Sequence, residues 1–170
     1  MKYIILLLSL GIVMNTSAQQ LNKKIQDPNR KQEILINLST RPVLKEFPGF
    51  RERYDAEYPN YKADSITLVS LKPLMKDKKV TLVMGTWCGD SKLQVPHFYK
   101  MTDDLSIPEK DITLICVDGT KKAENGLIDK LNIERVPTFI IYENGKELGR
   151  IVESPKTSLE KDLLEILSKK

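Results

Sequence analysis

The sequence predicts an α/β fold, a central mixed sheet flanked by helices, preceded by a mainly helical N-terminal extension. Three observations carry this expectation. Residues 79–85 (KVTLVMG) and 111–117 (DITLICV) are short, β-branched apolar runs of the kind that fill buried strands. The segment 91–101 between them has helical spacing, and two strands joined by a helical crossover must run parallel. Farther on, Asn144-Gly145 separates the runs 138–142 and 147–152, a hairpin signal because both central positions favour a positive φ.

The remaining elements fall around these. Pro96 inside 91–101 predicts a kink. Residues 64–75 can form a helix carrying Ile66, Leu68, Val69 and Leu71, with Pro73 near its end. A polar helix is expected over 121–131, ending at Leu131-Asn132. Thr157-Ser158-Leu159-Glu160 reads as a capping box opening a last helix, on which Leu159, Leu163, Ile166 and Leu167 form one apolar face. From residue 64 onward the strand and helix order after the first helix is therefore β-α-β-α-β-β-α.

Before residue 64 the text is different. Residues 1–18 carry Lys2, an apolar run, and the small residues Thr16 and Ala18 placed for cleavage after Ala18. This is the pattern of a secretory signal peptide. Its apolar run is shorter than the ~20 residues of a spanning helix, which disfavours the alternative of an uncleaved anchor. No cysteine follows Ala18, so a lipid anchor is not expected. Residues 19–63 form a polar, turn-rich extension without strand-like runs, and residues 64–170 form the main domain. In the extension, Asp27-Pro28 predicts an N-cap and first helical position for a helix over about 29–38. After the Pro48-Gly49 turn signal, Phe50, Tyr54, Tyr58 and Tyr61 recur at helical spacing, a stripe expected to dock on the core rather than to hold a peptide.

Composition limits the function. The 170 residues include 27 basic and 23 acidic side chains, two cysteines, one histidine and one tryptophan. A net charge of +4 without a basic stripe gives no reason to expect nucleic acid. Two cysteines and a single histidine cannot build a four-cysteine zinc site or one needing two imidazoles, and no metal or other cofactor is expected. Export would place the chain, periplasmic or secreted, where disulfides persist.

The chemistry concentrates in Trp87-Cys88-Gly89-Asp90-Ser91, directly after the first buried strand and opening the next helix. A helix N-terminus offers unpaired N–H groups and the positive end of the dipole, which favour a thiolate, the attacking species in disulfide exchange. Ser91 is placed to turn its hydroxyl toward the sulfur, Gly89 argues for exposure, and Asp90 opposes a second negative charge. A moderately activated thiol follows.

These residues resemble the thioredoxin superfamily, over about 64–170. Three motifs carry the resemblance: Trp87-Cys88-Gly89-Asp90-Ser91 in place of WCxxC, Pro96 in the active-site helix, and Val136-Pro137-Thr138 in place of the cis-proline segment that faces the active cysteine. The string from Gly85 to Ser91, with the aromatic-rich segment before it, further resembles an exported bacterial subgroup. The resemblance implies that the backbone of Val136 pairs with a substrate strand beside Pro137. It also implies that Trp87 shapes the rim and that Asp118 holds the Trp87 indole N–H. Ser91 stands where the resolving cysteine would be, and Leu82 where dithiol members bury an acid.

With one cysteine at the motif, a mixed disulfide on Cys88 needs an outside thiol or the substrate's own released thiol to resolve it. Cys116 is expected to be a small buried core residue rather than that partner. His97, about 13 Å of helical rise beyond Cys88, cannot form a cysteine–histidine dyad and is expected on the surface or a helix flank. Gly85 occupies the position where a peroxidatic cysteine wants Thr or Ser, so peroxidase chemistry is disfavoured. The leading expectation is monothiol thiol–disulfide exchange of the CxxS type with protein or small-molecule thiols and disulfides. Cys88 is the nucleophile and Ser91 its hydrogen-bonding partner. The competing expectation is a non-enzymatic binding module on the same fold.

Overall fold

The computed structural model describes residues 20–169, and the leader expected over 1–18 lies outside them. The chain runs β1 (Lys23–Gln26), β2 (Glu33–Ser39), α1 (Arg41–Glu46), α2 (Pro48–Glu57), α3 (Ser65–Leu74), β3 (Lys78–Met84), α4 (Gly89–Asp104), β4 (Ile112–Cys116), β5 (Thr138–Glu143), β6 (Lys146–Val152) and α5 (Leu159–Ser168). The sheet order is β1-β2-β4-β3-β5-β6. As expected from the crossover, β3 and β4 are parallel, with Leu82 opposite Leu114 and Met84 opposite Cys116. The β5–β6 pair is antiparallel and turns through Asn144 and Gly145, whose φ values are 50° and 79°.

The extension corrects the expectation most. The helix expected over 29–38 is absent, and a β-hairpin takes its place, with β1 antiparallel to β2. The cap chemistry of Asp27 is real but closes a turn: its Oδ1 accepts from the N–H groups of Asn29 at 2.8 Å and Arg30 at 3.0 Å. Ile34, Leu35 and Ile36 are consecutive and all buried, so this segment needs two covered faces, which a strand inside a sheet supplies. At Asn37, with φ 67°, β2 changes partner: residues 33–36 pair with β1 and residues 37–39 with β4. The extension thereby adds two strands to the sheet.

Its second half is helical and docks as the aromatic spacing implied. Phe50 and Tyr54 are each 1% exposed and share one core with Leu82, Phe98, Tyr99, Cys116, Phe139 and Leu163. Burying each of these aromatics contributes roughly 1.5–3 kcal/mol. Polar contacts then fix the angle of docking. Arg41 donates to the Tyr54 hydroxyl and, in a fork, to Asp103 on α4, while His97 Nε2 lies 3.0 Å from Glu57 and its ring stacks on Tyr61. Of the two places expected for His97, it takes the helix flank: it is a half-buried contact between α2 and α4.

Two further expectations change. The helix over 121–131 is replaced by two single 3₁₀ turns, Glu124–Gly126 and Asp129–Leu131, because Asn125, Gly126 and Asn132 take positive φ values of 54°, 68° and 51° that no continuous helix accepts. At the start of α5 the cap is Ser158, which accepts from Lys161 N–H. Glu160, 3% exposed, accepts from the Tyr61 hydroxyl at 2.6 Å and from Asp64 N–H at 3.1 Å, tying the end of the extension to the last helix. On α3, Asp64 caps through Thr67 N–H and Leu71 is buried, whereas Ile66 and Val69 face solvent.

Candidate active site

Cys88 sits where the C-terminal end of β3 passes into α4, as the N-cap residue of that helix. The strand ends at Met84, and Gly85, Thr86 and Trp87 make the connection. Thr86 is buried and its Oγ1 accepts from Leu35 N–H of β2 at 3.4 Å. Gly85 is required by close approach: a Cβ there would lie 2.5 Å from Cε2 of Trp87. The indole is therefore folded back over its own loop, and its Nε1–H donates to the carbonyl of Val117 at 3.0 Å.

That bond corrects the expectation for Asp118. Its carboxylate does not hold the indole. It accepts from Thr120 N–H and Oγ1–H and from Lys122 N–H, closing the turn after β4. The main chain one residue earlier does the work assigned to that side chain.

The thiol of Cys88 is free, and the residue is 9% exposed. Its Sγ–H donates to the carbonyl oxygen of Val136 at 3.2 Å. The Val136–Pro137 peptide bond is cis, so the expected cis-proline segment faces the cysteine. Among the described residues the Val136 N–H has no hydrogen-bond acceptor. The segment is held on both sides: Thr138 Oγ1 donates to the Arg135 carbonyl at 2.7 Å, and Glu153 N–H donates to the Pro137 carbonyl at 2.7 Å. Under the site, Cys88 packs in a second cluster with Val83, Ile115, Val117, Ile128 and Val136, with Trp87 against it.

Ser91 departs from its expected role. Fully buried, its Oγ accepts from Gly85 N–H at 3.4 Å, and its hydrogen bond thus steadies the β3–α4 loop instead of reaching the sulfur. Gly89 and Asp90 open α4 on the exposed side, and a Cβ at Gly89 would meet nothing within 4 Å. Leu82 lies in the apolar core, with no exposure, opposite Leu114 and Phe139.

The second cysteine is different in kind. Cys116 is 0% exposed in β4, and burial pushes its thiol up to about 12. Among the described residues no group of three His, Cys, Asp or Glu side chains could hold a metal ion, and no helix is long and apolar enough to cross a membrane.

Two residues that the motifs did not announce reach the site from the β1–β2 turn. Arg30 places its guanidinium 4.0 Å from the centroid of the Trp87 ring. Asp27, 1% exposed, accepts from Gly119 N–H at 2.9 Å through Oδ2, joining the turn to the end of β4. Burial works to raise the Asp27 carboxyl, but the N–H groups of Arg30, Asn29 and Gly119 outweigh it and hold the carboxyl below its usual range. A Cβ at Gly119 would stand 1.7 Å from Arg30 Nη1, so any larger residue there would push the guanidinium aside. No local pattern signals this; only pairing of β2 with β4 brings the turn here.

Comparison with known proteins agrees with this geometry. The sequence model of the thioredoxin family matches residues 71–165, over half of the chain. Thioredoxin H2-1 of rice (Oryza sativa) is 33% identical over 79 residues, 46% of this chain and 53% of that one. The mitochondrial thioredoxin-3 of Saccharomyces cerevisiae is 27% identical over 101 residues, 58% of this chain and 75% of the yeast protein. The chain thus spans about half the length of the rice relative. Among solved structures, an HIV epitope-scaffold protein is 17% identical with a TM-score of 0.50, covering 73% of this chain and 83% of that chain, a likeness of fold alone. By the residues that the family model matches, over half of its length, the chain belongs to the thioredoxin superfamily.

Proposed function

We propose that this is an exported protein carrying out monothiol thiol–disulfide exchange at Cys88, by reduction with an external thiol or by isomerisation. The observation that carries the reading is the contact of Cys88 Sγ with the Val136 carbonyl beside a cis proline, at the N-terminus of α4. Export rests on the leader pattern of residues 1–18.

The proton must first leave the Sγ–H···O=C bond to Val136. The first-turn N–H groups of α4 then face the negative sulfur. The thiolate attacks one sulfur of a substrate disulfide, forming a Cys88–S–S–R bond as the substrate S–S bond breaks and R′–S⁻ departs. A substrate chain in extended form would offer a carbonyl to the Val136 N–H, with Pro137 and Trp87 bounding it. Ser91 cannot resolve the mixed disulfide, so either an external thiolate attacks the sulfur of R, releasing it as a new disulfide, or another thiolate of the same substrate attacks that sulfur, forming a rearranged substrate disulfide; in both, Cys88 leaves as thiolate. In either case one S–S bond forms for each that breaks, and the protein is not itself oxidised.

Trapping from the compartment to which the protein is exported tests the reading. The wild type should accumulate mixed disulfides that reduction releases, and Cys88→Ala should accumulate none. Equal recovery with both proteins rules the exchange out.

Three observations favour a second reading, a binding module without redox turnover. Cys88 is only 9% exposed, Ser91 is bonded to Gly85 N–H and not to the sulfur, and Leu82 fills the place of the buried acid. Partner capture by Cys88→Ala at wild-type strength, without mixed disulfides in either protein, would support it.

A further inference from the structure

Arg30 is the feature that the exchange chemistry leaves unused. Its guanidinium lies over Trp87, the neighbour of Cys88, yet donates no hydrogen bond to any described residue. Its nearest anionic atom is Asp27 Oδ2, 3.8 Å from Nη1. That carboxylate is already occupied by three backbone N–H groups, two on Oδ1 and one on Oδ2. The side chain remains 36% exposed. Stacking on an indole holds a guanidinium in place by its face and leaves its N–H edge free to donate. The surroundings also fix its position: Asp27 ties the turn to Gly119 N–H, and Gly119 leaves the space that Arg30 Nη1 occupies. A cation with unused donors is thus held at the rim of a thiol site by an element outside the segment matched by the family model.

We propose that Arg30 is a specificity residue of the Cys88 site and that the site takes thiols and disulfides bearing a carboxylate near the sulfur. The carboxylate belongs to a small molecule or to an acidic side chain of a protein, and the guanidinium edge binds it in the same way. This rests on the exchange reading for its chemistry but not for its binding step. The bond changes are those already given: Cys88 thiolate forms the mixed disulfide, the carboxylate-bearing thiolate leaves, and the thiol proton passes to solvent.

The test compares two symmetric disulfides of similar size, the dianion 3,3′-dithiodipropionate and the dication cystamine, reacting with the reduced protein. The rate of mixed-disulfide formation at Cys88 is read by mass spectrometry. Each ratio is divided by that of an unstructured cysteine peptide with the same two disulfides, which removes their difference in leaving-group pKa. On that scale the wild type should favour the dianion by about fivefold at low salt, with the preference shrinking as salt rises. Arg30→Gln should bring the ratio to about one, Arg30→Glu should invert it, and Arg30→Lys should keep its sign. An Arg30→Gln ratio equal to the wild type overturns the assignment. Inversion of sign is a result that a disturbed turn alone does not produce.

A second measurement separates this inference from the reaction. Trp87 is the only tryptophan, so its emission reports on ligands reaching Arg30. In a Cys88→Ser protein, 3,3′-dithiodipropionate should shift the emission saturably, and Arg30→Gln should abolish the shift. That result with an unreactive wild-type Cys88 keeps the specificity assignment and discards the exchange reading. A reactive Cys88 with no charge preference and no emission shift does the reverse. A pair of acidic and basic disulfide-bonded peptides run beside the small molecules distinguishes a protein substrate from a small one.

Discussion

Cys88 and Cys116 are both shielded, one 9% and the other 0% exposed, yet the fold gives them opposite surroundings. Cys116 lies within β4, paired on both sides, in the main apolar core. Cys88 lies one residue before a helix, its sulfur against a carbonyl whose own N–H is unused. Burial therefore does not divide the inert cysteine from the candidate nucleophile. The division lies in what the sulfur touches and in whether a strand holds the residue on both edges.

The strongest way to sharpen this comparison is to give Cys88 a partner. Positions 88 and 91 are neighbours across the first turn of α4, within the span a disulfide accepts. Ser91→Cys should therefore close an internal disulfide and expel a thiol bound to Cys88, converting a stable adduct to a transient one in mass spectra. Persistence of the adduct in Ser91→Cys would show that the first turn does not present both sulfurs together.

Replacing each cysteine by serine compares the two sites by stability. Cys116→Ser buries a hydroxyl among apolar side chains and should cost about 1–3 kcal/mol in denaturant unfolding. Cys88→Ser keeps a donor for the Val136 carbonyl and should cost less than about 1 kcal/mol. Equal costs would mean that Cys88 is as much a core residue as Cys116.

The smallest effect is alkaline. The Cys116 thiol rises from 9.0 to about 12 on folding, so its contribution is complete below pH 9 and is lost as pH climbs toward 12. That loss is at most about 1.4 kcal/mol per pH unit. Tyr54 and Tyr99, also pushed upward by burial, destabilise over the same range in every variant. The difference between wild type and Cys116→Ala, followed by urea unfolding from pH 8 to 10.5, isolates the thiol. Parallel curves would contradict its burial in the protonated form.

The sequence was most legible where local chemistry and the final structure ask for the same residues. The parallel pair β3–β4, the Asn144-Gly145 hairpin and the docking of Phe50 and Tyr54 all follow from local patterns, whereas Pro137 opposite Cys88 comes from the family resemblance alone. It was least legible where one chemistry serves two geometries. Asp27 caps backbone N–H groups whether it starts a helix or closes a hairpin turn, and only the pairing of residues 37–39 with β4 decides between them. Glu160 likewise reads as part of a capping box until Tyr61 and Asp64 arrive from the extension to use it. At the site, the expectation for Trp87 found the correct strand end and the wrong acceptor, because a main-chain carbonyl leaves no mark on the sequence.

The most direct measurement is the reaction of the native, reduced protein with bis(2-hydroxyethyl) disulfide, an uncharged probe that does not depend on Arg30, followed by peptide mapping. Cys88 should form the mixed disulfide in the folded state at a rate at least equal to that of an unstructured peptide carrying Trp-Cys-Gly-Asp-Ser, while Cys116 stays unmodified until the chain unfolds. A native Cys88 that reacts no faster than Cys116 would contradict thiol–disulfide exchange at this site.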